Sequence, residues 1–211
     1  MQIAARELDA DAAYRLLVGI VVPRPIAWIT TVSTDGLVNA APFSCYTFVC
    51  NDPPMLAVNL GRRDGALKDT ASNIARSGEF VVNVVREDQV RTMHATSADC
   101  PPEQSETELL KLAVAPSAMV RPPRLICSPV NLECRLEQVL ELGRLRSRLV
   151  LGRIVHFHIA DEIYDEGKIV VDKLRPLGRL AGLKYVRLGE TVTMLPAERA
   201  LDDAMAGDGL A

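Results

Sequence analysis

Aromatic residues are scarce in this chain: four Phe, four Tyr and one Trp, 4% of 211 residues. That excludes a wall of stacking rings for single-stranded nucleic acid. The formal net charge of -3 and a pI near 5.7 also lack the basic footprint of a general nucleic-acid binder. Long apolar runs are missing too. The longest early one, Leu16 to Val22, stops at Pro23 and is too short to span a bilayer. The first residues carry Arg6, Glu7, Asp9 and Asp11 instead of an uninterrupted apolar core, so no secretory signal is read and the cytoplasm is the expected location.

Cysteine is sparse and odd in number. Positions 45, 50, 100, 127 and 134 offer no CxxC spacing, which argues against a disulfide framework or a zinc knuckle. Most of them read as reduced, buried small hydrophobes. There is no GxGxxG, no GKS or GKT, no GxSxG and no HExxH. No nucleophile stands beside a base, so any chemistry here is expected to come from a cofactor.

What is present is an ordinary globular balance, 48% hydrophobic and 24% charged, enough for one large domain with a core. A lead-in over 1–22 contains a short helix, Asp9 to Gly19, with Asp9 or Asp11 as its cap. "IAWITTVS", "TDG" and "LVNAAPFS" then read as a hairpin: strand, turn, strand. "SCYTFVC" is a third extended segment, "NDPP" a break, and "MLAVNL" a fourth strand. "DTASNIARSG" is a short helix capped by Asp69 or Thr70, anchored by Ile74 and ended by Gly78. "EFVVNVV" is a fifth strand and "REDQVRTMHATSA" is helical. Cys100 to Ser117 reads as an irregular excursion. "VNLECRLEQVLELG" and "RLVLGRIVHFHIADEI" are long strands, and a last short strand lies near Lys184–Leu188. The domain spans 23–190, and 191–211 is a tail. Many short strands, few short helices and regular turns predict a mainly β, antiparallel barrel.

Several segments admit two readings. Arg62 to Asn73 is either an ordinary capped helix or an anion site, in which helix-start N–H groups, the Lys68 charge and the polar groups of Thr70 and Asn73 converge. "PFSCYTF" is either a plain strand or a platform where Ser44, Cys45 and Tyr46 let a flat polar-edged ring approach the backbone. Periodicity does not choose. Arg144, Arg146 and Arg148 alternate as in a charged hairpin, or as a site for a dinucleotide phosphate. His156 and His158 share one face of a strand, but the only other histidine is His94. A structural role is favoured over a metal site.

"PRPIAWITTVSTDGLVNAAPFSCYTFVCNDPPMLAVNL", then "KDTASNI" and "GEFVVNVV", resembles the flavin reductase-like family of FMN-binding split barrels, and within it the flavoredoxin-like branch. "SPVNLECRLEQV", "LVLGRIVHFHI" and "LRPLGRLAGLKY" resemble later strands of that branch. The similarity runs from about Pro23 to Tyr185. It implies an FMN site with the phosphate near Lys68, Asp69, Thr70 and Asn73. The ring would lie along Ser44, Cys45, Tyr46, Thr47 and Phe48 with Asn59 beside it, and Arg179 would reach the cofactor from its own chain or a partner's. It implies a homodimer, NADH or NADPH as the electron donor, and a monooxygenase or other electron acceptor. No catalytic side chain is implied. Two other readings stand beside this reductase: an FMN electron carrier without a nicotinamide site, and a non-enzymatic ligand-binding barrel. Where the short-chain flavin reductase branch carries Gly-Asp-His, this chain reads "GRLRSRL".

Overall fold

The structure, a computed structural model, describes residues 1–63, 65–101, 103–194 and 196–199. Its centre is one antiparallel sheet of seven strands. These are β1 Ala27–Val32, β2 Val38–Phe43, β3 Tyr46–Asn51, β4 Pro54–Leu60, β5 Glu79–Val84, β6 Val130–Leu142 and β7 Ser147–Ile159. They lie in the order β2-β1-β5-β6-β7-β4-β3. The first expected hairpin forms, with a register running from Ala27 opposite Phe43 to Val32 opposite Val38. Its turn is fixed by Ser33, whose N–H donates to Leu37 O at 2.9 Å and whose hydroxyl accepts from Leu37 N–H at 3.1 Å.

The strand order has one consequence for shape. β2 and β3 stand at opposite ends of the sheet, yet only Ser44 and Cys45 separate them. That link spans at most roughly 11 Å. The two edges therefore come together at this end, and the sheet is rolled. No ladder joins β2 to β3 among the described residues. Ser44 and Cys45 form a bend, so the third strand begins at Tyr46 and not at Ser44.

β1 is buried on both faces. Ala27 and Ile29 point into a core with Phe43, Leu56, Val58, Ile74, Phe80 and Leu132. Trp28 and Ile26 point the other way, into a second cluster with Val85, Met93 and Leu125. This explains the near-continuous apolar reading of "IAWI". In the middle of the sheet, Asn83 carries a polar network. Its Nδ2 donates to Trp28 O at 2.8 Å, and its Oδ1 accepts from Leu125 N–H and Asn131 Nδ2 at 2.9 and 2.8 Å. Gly152 is glycine for a packing reason. A Cβ there would stand 2.4 Å from Cζ of the buried Phe80 ring.

Helix α1, Ala10–Ile20, is capped as expected by Asp9, whose side chain accepts from Ala12 N–H at 2.6 Å. Arg24 holds its other end, donating from Nη1 to Val18 O and Val21 O and from Nη2 to Leu180 O. No residue of α1 is buried: Leu17 is 61% and Ile20 73% exposed. Helix α2, Asp69–Ser77, buries Ala71 and Ile74 and ends at Gly78 in the left-handed region, φ 68°. Its cap is Lys68, which makes no side-chain capping bond, and not Asp69 or Thr70. α3, Val90–Ala95, follows β5 after a 3-10 turn. The expected irregular excursion contains α4, Glu106–Leu109. The last two strands, β8 Leu177–Arg179 and β9 Tyr185–Arg187, pair with each other outside the main sheet.

The cysteines correct one expectation. Only Cys134 is buried, while Cys45 and Cys127 are exposed and Cys50 and Cys100 are half-buried. Strand-end and loop positions, not core positions, hold the other four. Among the described residues no helix is long and apolar enough to cross a membrane. From residue 200 onward the expected tail lies outside the described residues.

Candidate functional site

The helix start expected to hold an anion opens on a cleft of about 310 Å³. β2 supplies one wall and the Lys68–Thr70 segment another. Thr96, Cys100 and Glu106 close the far side. Lys68 is placed by α2, with its Nζ 5.4 Å from the Phe43 ring centroid. Thr70 is buried, and its hydroxyl oxygen accepts from Asn39 Nδ2 at 3.0 Å. The hydroxyl keeps its own proton to donate. The first-turn N–H groups of α2 add the positive end of the helix dipole.

Asn73 departs from this group. Its Nδ2 donates to Thr31 Oγ1 at 3.1 Å, and it lines a second cleft of about 220 Å³ beside the β1–β2 turn. Asn39 and Asp69 border both clefts. Lys68, Asp69 and Thr70 are thus brought together, with Asn73 one turn further along α2 and bonded to Thr31.

The residues expected along a flat ring lie at the meeting of the sheet edges. Tyr46 is half-buried against the core, and burial, with a contribution from Cys134, pushes its hydroxyl up to about 12. Thr47 and Phe48 are exposed on the edge strand, Phe48 at 78%. Asn59 N–H donates to Cys45 O at 2.8 Å. Its Oδ1 is buried and has no hydrogen-bond partner among the described residues. A buried acceptor left this way costs about 1–3 kcal/mol unless a donor reaches it.

Arg179 is tied to its own strand pair. It donates to the Tyr185 hydroxyl and to Gly182 O, and its guanidinium lies 4.7 Å from the Tyr185 ring centroid. The Tyr185 hydroxyl also meets His94 Nδ1 at 2.8 Å. Arg179 does not line the Lys68 cleft.

The arginine alternation is a charged hairpin tip. Arg146 and Arg148, with Arg62 from the neighbouring loop, surround Glu141, while Arg144 is exposed. The histidines lie side by side, ring centroids 4.6 Å apart. His158 Nε2 meets Glu133 Oε1 at 2.5 Å, and the Glu133 carboxylate also accepts from Ala118 and Met119 N–H at 2.7 and 2.6 Å. Burial acts to raise the Glu133 carboxyl. The backbone donors and His158 outweigh it and hold the group below the usual range. Glu133 thus latches the 118–119 segment onto the sheet.

Glu106 was not singled out from the sequence. With Ser105 it covers the open edge of β2: Ser105 Oγ donates to Val38 O at 2.7 Å, and Ala40 N–H donates to Glu106 Oε2 at 3.0 Å. Burial raises its carboxyl, partly opposed by the bond from Ala40. The available signal was Ser105-x-x-Glu108, a helix-start spacing, and Ser105 Oγ does accept from Glu108 N–H at 3.3 Å.

Comparison with known proteins identifies the family. Residues 19–178 match the family described as flavin reductase like domain. An uncharacterized protein of Halalkalibacterium halodurans is 42% identical over 199 residues, covering 92% of this chain and 95% of that one. Nitrilotriacetate monooxygenase component B from Bacillus cereus superimposes with a TM-score of 0.89 at 36% identity, over 92% of this chain and 98% of that one. The 2-nitrobenzoate 2-nitroreductase NbaA of Pseudomonas fluorescens gives 0.85 at 32% identity, over 93% and 97%. The matched span takes in all seven sheet strands, the Lys68 cleft and the Ser44–Cys45 bend, and the chain belongs to the flavin reductase-like domain family.

Proposed function

We propose that this protein is a flavin-dependent oxidoreductase that holds FMN in a split barrel, takes electrons from NADH or NADPH and passes them to an acceptor. The observation that carries the reading is the pairing of one cationic helix start with one orphaned acceptor at the seam of the rolled sheet. Lys68, Thr70 and the first-turn N–H groups of α2 bind the phosphate. The backbone of Ser44–Phe48 and the Asn59 amide oxygen orient the ring. When bound, the flavin supplies the redox chemistry. The chain contributes position and electrostatics, which fits the absence of a nucleophile–base pair in its sequence.

A monooxygenase is the proposed acceptor, in line with the named role of the Bacillus cereus protein. We also propose a homodimer. A single chain leaves Leu17, Ile20 and Val21 of the α1 region bare, together with Phe48 on an open edge.

The test is a visible spectrum of the purified protein reconstituted with FMN, followed by anaerobic mixing with each nicotinamide. A bound flavin bleached by NADH or NADPH supports the reductase. A bound flavin bleached only by dithionite leaves an electron carrier. No flavin retained at micromolar protein and FMN defeats the proposal.

A further inference from the structure

We propose that Glu106 selects flavin mononucleotide over the dinucleotide by placing a fixed carboxylate where a second phosphate would have to go. The inference rests on the phosphate reading of the Lys68 cleft.

The cleft is electrically uneven. Its one lysine, Lys68, sits at the Phe43 end. Asp69 follows it on α2, and Glu106 forms part of the wall beyond, near Cys100. Glu106 is only 7% exposed. Its position is also constrained. One oxygen accepts from Ala40 N–H, and the preceding residue is bonded to Val38 O, so the side chain is held along the edge of β2. It cannot swing away to solvent without leaving the Ala40 N–H of that edge unpaired.

The two flavin nucleotides carry the same charge in different places. A terminal phosphate has a second pKa near 6 and is close to a dianion at neutral pH. The mononucleotide therefore concentrates its charge beside Lys68 and the helix start. In the dinucleotide each phosphate is a diester with one charge. The first presents less charge to Lys68, and the second extends past it into a region whose charged side chains are Asp69 and Glu106. Both differences favour the mononucleotide, and the repulsive one is a specificity device.

Glu106→Gln tests this in the full chain. Glutamine keeps an acceptor for Ala40 N–H and removes the charge. FMN, FAD and riboflavin are titrated, with Trp28 emission and flavin fluorescence as readouts, and thermal melting confirms the fold. The expected result is that wild type prefers FMN to FAD, and that Glu106→Gln narrows this preference by roughly threefold to tenfold, the effect of one partly screened like charge, with riboflavin unchanged. An unchanged FMN-to-FAD ratio in the variant, or a wild type that binds FAD as tightly as FMN, overturns the inference. A wild type that binds FMN no better than riboflavin is a different failure: it overturns the phosphate reading, and the inference with it. If Glu106→Gln does not fold, the wild-type ratio is measured against salt. A preference of electrostatic origin shrinks as ionic strength rises, and a preference that stays constant overturns the inference.

Discussion

Trp28 and Thr96 are joined through the body of the protein: the indole Nε1 donates to Thr96 Oγ1 at 2.9 Å. Thr96 lies in the wall of the Lys68 cleft, and Trp28 is the single tryptophan of the chain. A flavin entering the cleft should therefore quench Trp28 emission in a saturable way. Thr96→Val should leave the buried indole N–H without its acceptor and destabilise the fold by about 1–3 kcal/mol in denaturant titration. A flavin that binds tightly without affecting Trp28 emission would place the site elsewhere.

Lys68→Ala should weaken FMN more than riboflavin, which lacks the phosphate. A charge-assisted contact of this kind contributes about 1.5–3 kcal/mol, or roughly tenfold to a hundredfold in affinity. Equal losses for both ligands would mean that Lys68 acts through the fold, by way of its contact with Phe43.

Glu133 gives a dependence on acid. Its folded-state carboxyl is held below the usual range. Its contribution is therefore fully present above the unfolded value, near about 4.3, and is lost as pH falls through the folded value. Melting temperature should drop in that acid window. Glu133→Gln should flatten part of the drop and cost about 1–3 kcal/mol at neutral pH, because the Ala118 and Met119 N–H groups lose a charged acceptor. An unaltered acid limb in the variant would assign the drop to other carboxyls.

Gly152→Ala should destabilise by about 1–3 kcal/mol, because the added methyl overlaps the Phe80 ring in the closed core. Urea unfolding measures it. A neutral result would show that β7 can shift away from β5 at that point.

Arg179 tests the dimer. If it completes a site on the partner chain, Arg179→Ala should weaken FMN without unfolding the sheet. Mixing it with Lys68→Ala should then restore some tight sites, since one site of each mixed dimer receives both wild-type residues. A dimer in which mixing restores nothing would leave Arg179 with the local role its bonds to Tyr185 and Gly182 describe. A monomer in sedimentation would remove the dimer itself.

The strands and the α2 helix were legible because they follow local rules: β-branched runs, a TDG turn, a glycine stop. Three things were not local. Asn73 shares a helix with Lys68, but its amide is taken up by Thr31, 42 residues earlier in sequence. Most of the cysteines were read as core residues because cysteine is usually buried, yet only Cys134 lies mid-strand on the inner face. Glu106 reads as one more acid in a polar stretch. Its burial depends on the unpaired edge of β2, which no window of sequence reveals.

The strand order also sets a timetable for synthesis. The β1–β2 and β3–β4 hairpins are complete in sequence once residue 60 has emerged, though a lone hairpin is marginal without further strands. Yet they end at opposite ends of the sheet, and the three strands between them come later. β4 meets its inner neighbour, β7, only after the chain has reached Ile159. Until then the inner edge of β4 has no partner, and its pairing with β7 is a non-local contact that is slow to form. A nascent chain of this protein thus has a long interval of exposed strand edge, during which its first sixty residues are open to pairing with their counterparts on neighbouring chains.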